Sequence, residues 1–131
     1  NDNRLSRVKR DTKQRRAIRE VFTREHRPLS TDEVLHAGRM LVPSLGIATV
    51  YRTINSLSDE GWIHSVDLPG EPARYERCGK PHHHHFICRG CGLAFDVAAC
   101  PEDVERLAPP GFAVDAHELV LYGRCPGCCQ A

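Results

Sequence analysis

The chain has 131 residues, a formal net charge of +1, seven Cys and eight His. That length holds one ordinary domain or two small ones, and small domains commonly need a bound metal or a partner subunit to be stable. No run approaches the ~20 apolar residues that cross a bilayer, and the polar, basic start carries no apolar signal segment. The expectation is a cytoplasmic protein without a membrane partner.

The net charge conceals an asymmetry. Residues 1–60 hold 12 Lys/Arg against 8 Asp/Glu, whereas residues 61–131 hold 6 against 9. A basic front half suggests a polyanionic partner, and nucleic acid is the usual one. All seven Cys lie beyond residue 77. Two pairs are spaced C-x-x-C beside histidines, a pattern that favours metal ligation over disulfides when no secretion signal accompanies it.

In chain order, residues 13–25 read as an amphipathic helix with Ala17, Ile18, Val21 and Phe22 on one face. Ser30 followed by Glu33 is a capping box. It opens a second helix with Val34, Leu35 and Leu41 inward. Val42–Gly46 reads as a turn. A third helix spans about Ile47 to Glu60, with Val50, Ile54 and Leu57 as its buried stripe and Gly61 as its stop. Two alternating runs, Trp62–Leu68 and Ala73–Arg77, flank the turn PGEP and predict a β-hairpin. Three helices and a hairpin are the winged-helix order, with the third helix as the DNA reader. Opposite its apolar stripe that helix presents Thr49, Tyr51, Arg52 and Asn55, residue types that contact base edges and phosphates.

The second half has a different grain. HHHHFIC, LAFDVA and FAVDAHELVLYG predict strands, and residues 101–108 a short helix. The expected fold class is α+β: an N-terminal winged helix over 1–78 and a small α/β dimerisation domain with a three-stranded sheet over 79–131.

Cys88-x-x-Cys91 and Cys125-x-x-Cys128 supply four thiolates, the closed tetrahedral set of a structural zinc site. In an extended segment, His83 and His85 face one way and His82 and His84 the other. One strand can thus feed two metal sites. His64 and Cys78 on the wing complete an expected sensor set with His83 and His85. Imidazole and thiolate donors suit Zn²⁺ better than Mn²⁺ or Fe²⁺. Such a set draws on both halves of the chain. His82 and His84 would be joined by His117 and an acid from the short helix. Cys100 and Cys129 receive no role. A zinc hydrolase is the alternative from another class, but the expected sensor set is fully protein-ligated whereas catalytic zinc keeps an open position. No Ser-His or paired-carboxylate arrangement stands out either, so no enzyme is expected. A zinc-storage module would not need the basic front or the Tyr51–Arg52 helix.

These residues together resemble the ferric uptake regulator (Fur) family from about Lys13 to Cys128. The marks are ATVYRTINSL (48–57), RYERC (74–78), HHHHFICRGCG (82–92), Gly111-Phe112 with His117, and LYGRCPGC (121–128). Within the family the chain looks most like the zinc uptake regulators (Zur), which carry a Cys ahead of the histidine run. Iron and peroxide sensors tend instead to place an acid near Glu76 and a histidine near the start of the second helix, where Pro28 falls here and His26 lies nearby.

The resemblance implies a homodimer that binds an inverted-repeat operator when metal-loaded and represses metal-uptake genes. It implies zinc as structural and regulatory ion, with Fe²⁺ or Mn²⁺ as alternatives at the regulatory site. Cys88, Cys91, Cys125 and Cys128 match the structural set; His64, Cys78, His83 and His85 match the sensor set. His82, His84 and His117 match a third site, with Glu105 as its acid ahead of Asp103 and Glu102. Asp96 matches an acid that some members use at the sensor site. Tyr51 and Arg52 match DNA-contacting positions. Lys13, Arg15 and Arg16 are the expected phosphate contacts.

Overall fold

The computed structural model describes residues 12–129, which divide into two units after Gly79. In the first unit, α1 (Lys13–Arg24) opens at Thr12, whose side chain accepts the Arg15 N–H. Its buried face is Ala17, Ile18, Val21 and Phe22. A two-residue strand, β1 (Leu29–Ser30), leads into α2 (Thr31–Arg39). The capping box there is reciprocal: Glu33 N–H donates to Ser30 Oγ at 3.2 Å, and Ser30 N–H donates to Glu33 Oε1 at 2.9 Å. A cap of this kind contributes about 1 kcal/mol. The third helix, α3 (Ile47–Asp59), buries Val50, Thr53, Ile54 and Leu57. The hairpin β2 (Ile63–Val66) and β3 (Arg74–Arg77) follows, and the sheet order is β1-β3-β2, all antiparallel.

The stripes of the three helices and Leu29 and Ile63 of the sheet close one apolar core. Leu41 departs from its expected inward position and is 37% exposed. The helix stops at Arg39, so Leu41 leaves the 3.6-residue stripe, and Val42 and Leu45 fill the core instead. Leu45 packs directly on Gly38, where an added Cβ would lie 2.5 Å from Leu45 Cδ2. Gly38→Ala is therefore expected to overpack this contact and cost about 1–3 kcal/mol, read as a lower denaturant midpoint. An unchanged midpoint would show that Leu45 yields freely.

In the second unit, β4 (His84–Cys88) pairs antiparallel with β5 (Ala94–Val97) and parallel with β6 (Val120–Gly123), giving the order β5-β4-β6. A single turn of helix, α4 (Pro126–Cys129), follows β6. The expected helix at 101–108 is reduced to one 3₁₀ turn, Val104–Leu107, with no buried residue. The segment buries no side chain, and a short helix without tertiary packing is marginal in water. Of the expected strand at 112–123 only Val120–Gly123 forms; ahead of it Leu119 O accepts the His85 N–H of β4 at 3.2 Å, and residues 112–118 are not strand. The buried residues of this unit are few: His84, Ile87, Cys88 and Ala94. A core this small leaves the unit dependent on other ties.

Candidate metal centres and nucleic-acid face

Parallel pairing of β4 with β6 sets Cys88 opposite Gly123. Both C-x-x-C hooks therefore leave the sheet at the same end. Cys91 follows in the turn after β4, and Cys125 and Cys128 lie in and before α4. The four Sγ atoms lie within 4.8 Å of one another, with Cys91 and Cys125 at 3.8 Å. A tetrahedral ion with Zn–S of ~2.3 Å implies an S···S edge of roughly 3.8 Å, so the donor set fits zinc. Backbone N–H groups of Cys125 and Cys91 donate to Cys88 Sγ at 3.3 and 3.4 Å. These bonds, that from Cys125 first, hold the Cys88 thiol down at about 5. Cys128 is pushed up to about 12 by its contacts with the Cys88 and Cys125 sulfurs and by burial. Gly90, between the hook cysteines, is part of this site: a Cβ there would meet Cys128 Sγ at 2.7 Å. The signal for it in the sequence is a small residue inside C-x-x-C.

The histidine run splits by side. His82 Nε2 lies 3.2 Å from both His84 Nε2 and His117 Nε2. The fourth member of this group is Cys100, whose Sγ lies 3.2 Å from His84 Nε2 and 3.1 Å from His117 Nε2. Here the expectation of an acidic donor is corrected. Glu105 is exposed on the 3₁₀ turn, and neither it nor Asp103 or Glu102 belongs to the cluster. With no full helix at 101–108, no helix face carries an acid inward; the chain instead leaves β5 with Cys100 already at the histidines. His84 is the buried member, and burial, followed by the neighbouring imidazoles of His82 and His117, lowers its pKa below 6.5. The ring is thus neutral at pH 7, the state that ligates metal.

On the other side of β4, the His83 and His85 rings lie 4.9 Å apart between centroids. Asp96, cross-strand from His85, places Oδ1 3.8 Å from His83 Nε2 and 3.9 Å from His85 Nε2. Those separations exceed hydrogen-bond length, and Asp96 Oδ1 is buried without a hydrogen-bond partner. An oxygen with two imidazole nitrogens around it at this spacing suits a shared cation. The other carboxylate oxygen of Asp96 accepts from Lys80 Nζ at 2.5 Å. Of the expected sensor set, His83 and His85 thus belong to the second unit and His64 and Cys78 to the first. In the first unit His64 Nε2 lies 3.3 Å from Glu76 Oε1, across the β2–β3 pair, and the Glu76 side chain is 1% exposed. Cys78 follows β3 in a turn, its N–H donating to Trp62 O.

On α3, Tyr51, Arg52 and Asn55 are exposed, while Thr49 is half-buried and accepts from Arg52 at 3.2 Å. Lys13 and Arg16 on α1 are exposed. Arg15 is not available in the same way. Its guanidinium pairs with Glu60 and donates to Ser56 Oγ at 3.0 Å, leaving the side chain 11% exposed. It ties α1 to α3. Arg15 lies off the apolar stripe of α1, on a side that α3 covers, which corrects its expected role as a phosphate contact. No described helix is long and apolar enough to cross a membrane.

A three-helix unit with a β-hairpin wing, followed in the same chain by a sheet that gathers histidines and cysteines into clusters, defines the build of a metal-responsive DNA-binding regulator. The sequence profile of the ferric uptake regulator family matches residues 7–122, and the chain belongs to that family. The transcriptional regulator FurA of Mycobacterium tuberculosis is 30% identical over 120 residues, which cover 89% of this chain and 81% of FurA. A zinc-bound manganese uptake regulator superposes with a TM-score of 0.78 at 28% identity, over 92% of this chain and 94% of its own. The ferric uptake regulator of Helicobacter pylori, whose structure reveals three functional metal-binding sites, superposes with a TM-score of 0.68 at 28% identity, over 93% of this chain and 83% of its own. The chain is thus a metal-responsive transcriptional regulator, from a family of regulators rather than enzymes whose members bind DNA as dimers.

Proposed function

We propose that this regulator is a zinc-responsive repressor of metal-uptake genes that binds an inverted-repeat operator as a homodimer in the cytoplasm. The observation that carries the reading is the His83–His85–Asp96 cluster, with its buried carboxylate oxygen facing two imidazole nitrogens. Cys78 of the winged helix supplies the thiolate, and His64 completes the four-donor set in competition with Asp96. An ion shared by both units ties their relative orientation and so the pose of the two reading helices in a dimer; metal and DNA binding are then reciprocally coupled. The Cys78 thiolate favours Zn²⁺ over harder ions. Tyr51, Arg52, Asn55 and Thr49 read the operator, and Lys13 and Arg16 contact phosphate. Leu121 and Tyr122, exposed at 42% and 41% on the edge strand β6, offer the second unit an apolar surface for a second copy.

Operator affinity at fixed salt, with and without Zn²⁺, tests this. A coupling of ~1–3 kcal/mol corresponds to about 5–150-fold tighter binding with metal. Cys78→Ser should remove that gain while the tetrathiolate stays filled. Equal affinity with and without zinc would end the sensor reading. A second reading, an iron or manganese sensor, is favoured by the carboxylates of Asp96 and Glu76, since oxygen donors suit harder ions. A response to Fe²⁺ or Mn²⁺ that Cys78→Ser leaves intact would select it.

A further inference from the structure

The geometry points to a closed His₃Cys metal site in which Cys100 is the fourth ligand beside His82, His84 and His117. All four donors belong to the second unit, so the site does not rest on the regulatory reading above. The three histidines were expected at a third site, but with an acid. The cysteine changes both the ion that fits and the consequence of binding.

Five of the six donor–donor distances are short. The two His82 nitrogen pairs measure 3.2 Å each, and the three nitrogen–sulfur pairs 3.1, 3.2 and 3.6 Å. Hydrogen bonding cannot account for them all. An Nε2 atom offers one in-plane lone pair or one N–H, yet His82 Nε2 faces three partners and His84 and His117 two each. Four donor atoms aimed at one point are what a tetrahedral ion requires. Metal–nitrogen bonds of ~2.0–2.1 Å and a metal–sulfur bond of ~2.3 Å imply edges of roughly 3.3 and 3.6 Å. The two nitrogen–nitrogen edges at 3.2 Å and the His82–Cys100 edge at 3.6 Å match, and the edges from Cys100 to His84 and His117, at 3.2 and 3.1 Å, are shorter.

Three neutral imidazoles and one thiolate form a borderline-soft set. It takes Zn²⁺, and Co²⁺ as its spectroscopic stand-in, in preference to Mn²⁺ or Fe²⁺. All four positions are filled by protein, which leaves no open position for chemistry. The role is set by the chain between the ligands. Cys100 and His117 bracket residues 101–116, of which none is buried and only Val104–Leu107 has regular structure. Ligation ties both ends of this segment to buried His84 on β4. Loading also alters the start of β6. The Leu119 N–H donates to His84 Nδ1 at 3.2 Å. An ion on Nε2 requires the tautomer with the proton on Nδ1, so the Leu119 amide must give up that bond.

The test uses the full chain with the tetrathiolate filled by zinc and Cys78→Ser as background, so that Cys100 is the thiolate in question. Added Co²⁺ should produce a near-ultraviolet sulfur-to-cobalt charge-transfer band. Cys100→Ser should abolish it, and Cys129→Ser should not. Trypsin cutting after Arg106, inside the bracketed segment, should slow about a hundredfold at free Zn²⁺ a hundred times the dissociation constant, and Cys100→Ser should remove that protection. Cys100→Asp, which keeps a donor, should retain protection without the band, and this separates ligand loss from misfolding. The Leu119 amide resonance should move on loading. Absence of the band in the Cys78→Ser background, its persistence in Cys100→Ser, or Arg106 cleavage indifferent to zinc would overturn the assignment.

Discussion

Replacing Cys88 by serine is expected to strip the tetrathiolate ion and with it most of the order of the second unit. Cys88 is the fully buried sulfur, the acceptor of two backbone N–H groups and the thiol held at about 5. Its loss leaves three thiols, one short of the closed tetrahedral set. Few buried side chains remain to hold three short strands together. Structural zinc contributes on the order of 10 kcal/mol to folding in small zinc domains, far more than such a core supplies. The measurements are zinc per chain by mass spectrometry and amide exchange over β4–β6, with Trp62 fluorescence reporting the first unit separately. Gly90→Ala keeps all four ligands but places a methyl against Cys128. It should weaken zinc by about 10–100-fold, the range for changes in groups that support metal ligands. Full zinc retention and unchanged exchange in Cys88→Ser would mean that the sheet stands without the ion.

Arg52→Ala is expected to cost about 1–3 kcal/mol of operator binding, or roughly 5–150-fold, with little effect on stability. Arg52 is exposed on α3, where its guanidinium donates to Thr49 Oγ1 at 3.2 Å. Arg15→Ala should do the reverse. Arg15 joins α1 to Ser56 and Glu60 of the α3 end, so its removal lowers the unfolding midpoint first and DNA binding only through the fold. Fluorescence anisotropy on operator and on scrambled DNA separates the contacts. A loss confined to operator marks a base contact, and a uniform loss with a salt slope smaller by about one marks a phosphate contact. Unchanged affinity on both DNAs would remove Arg52 from the interface.

Much of the winged helix was legible in the residues themselves. The stripes of α1 and α3, the Ser30–Glu33 box and the PGEP turn act over three to five residues, and local periodicity and capping determine such elements wherever the chain goes. The gathering of four cysteine sulfurs was legible for the same reason, since C-x-x-C spacing keeps two sulfurs within reach of each other before the rest of the fold is known. What the linear order did not reveal depends on distant contacts. Leu41 turns outward because the helix ends two residues earlier, and Arg15 turns inward because α3 covers the side of α1 that it occupies. Cys100 meets the histidines because the segment after β5 forms no helix to bring an acid instead. Local pattern by itself determined the helices, the hairpin and the paired cysteine hooks. Only the tertiary structure decided which cysteine completes the histidine cluster, which arginine is drawn into a helix–helix contact and which glycines must stay small, because those outcomes are set by side chains packing across tens of residues of sequence.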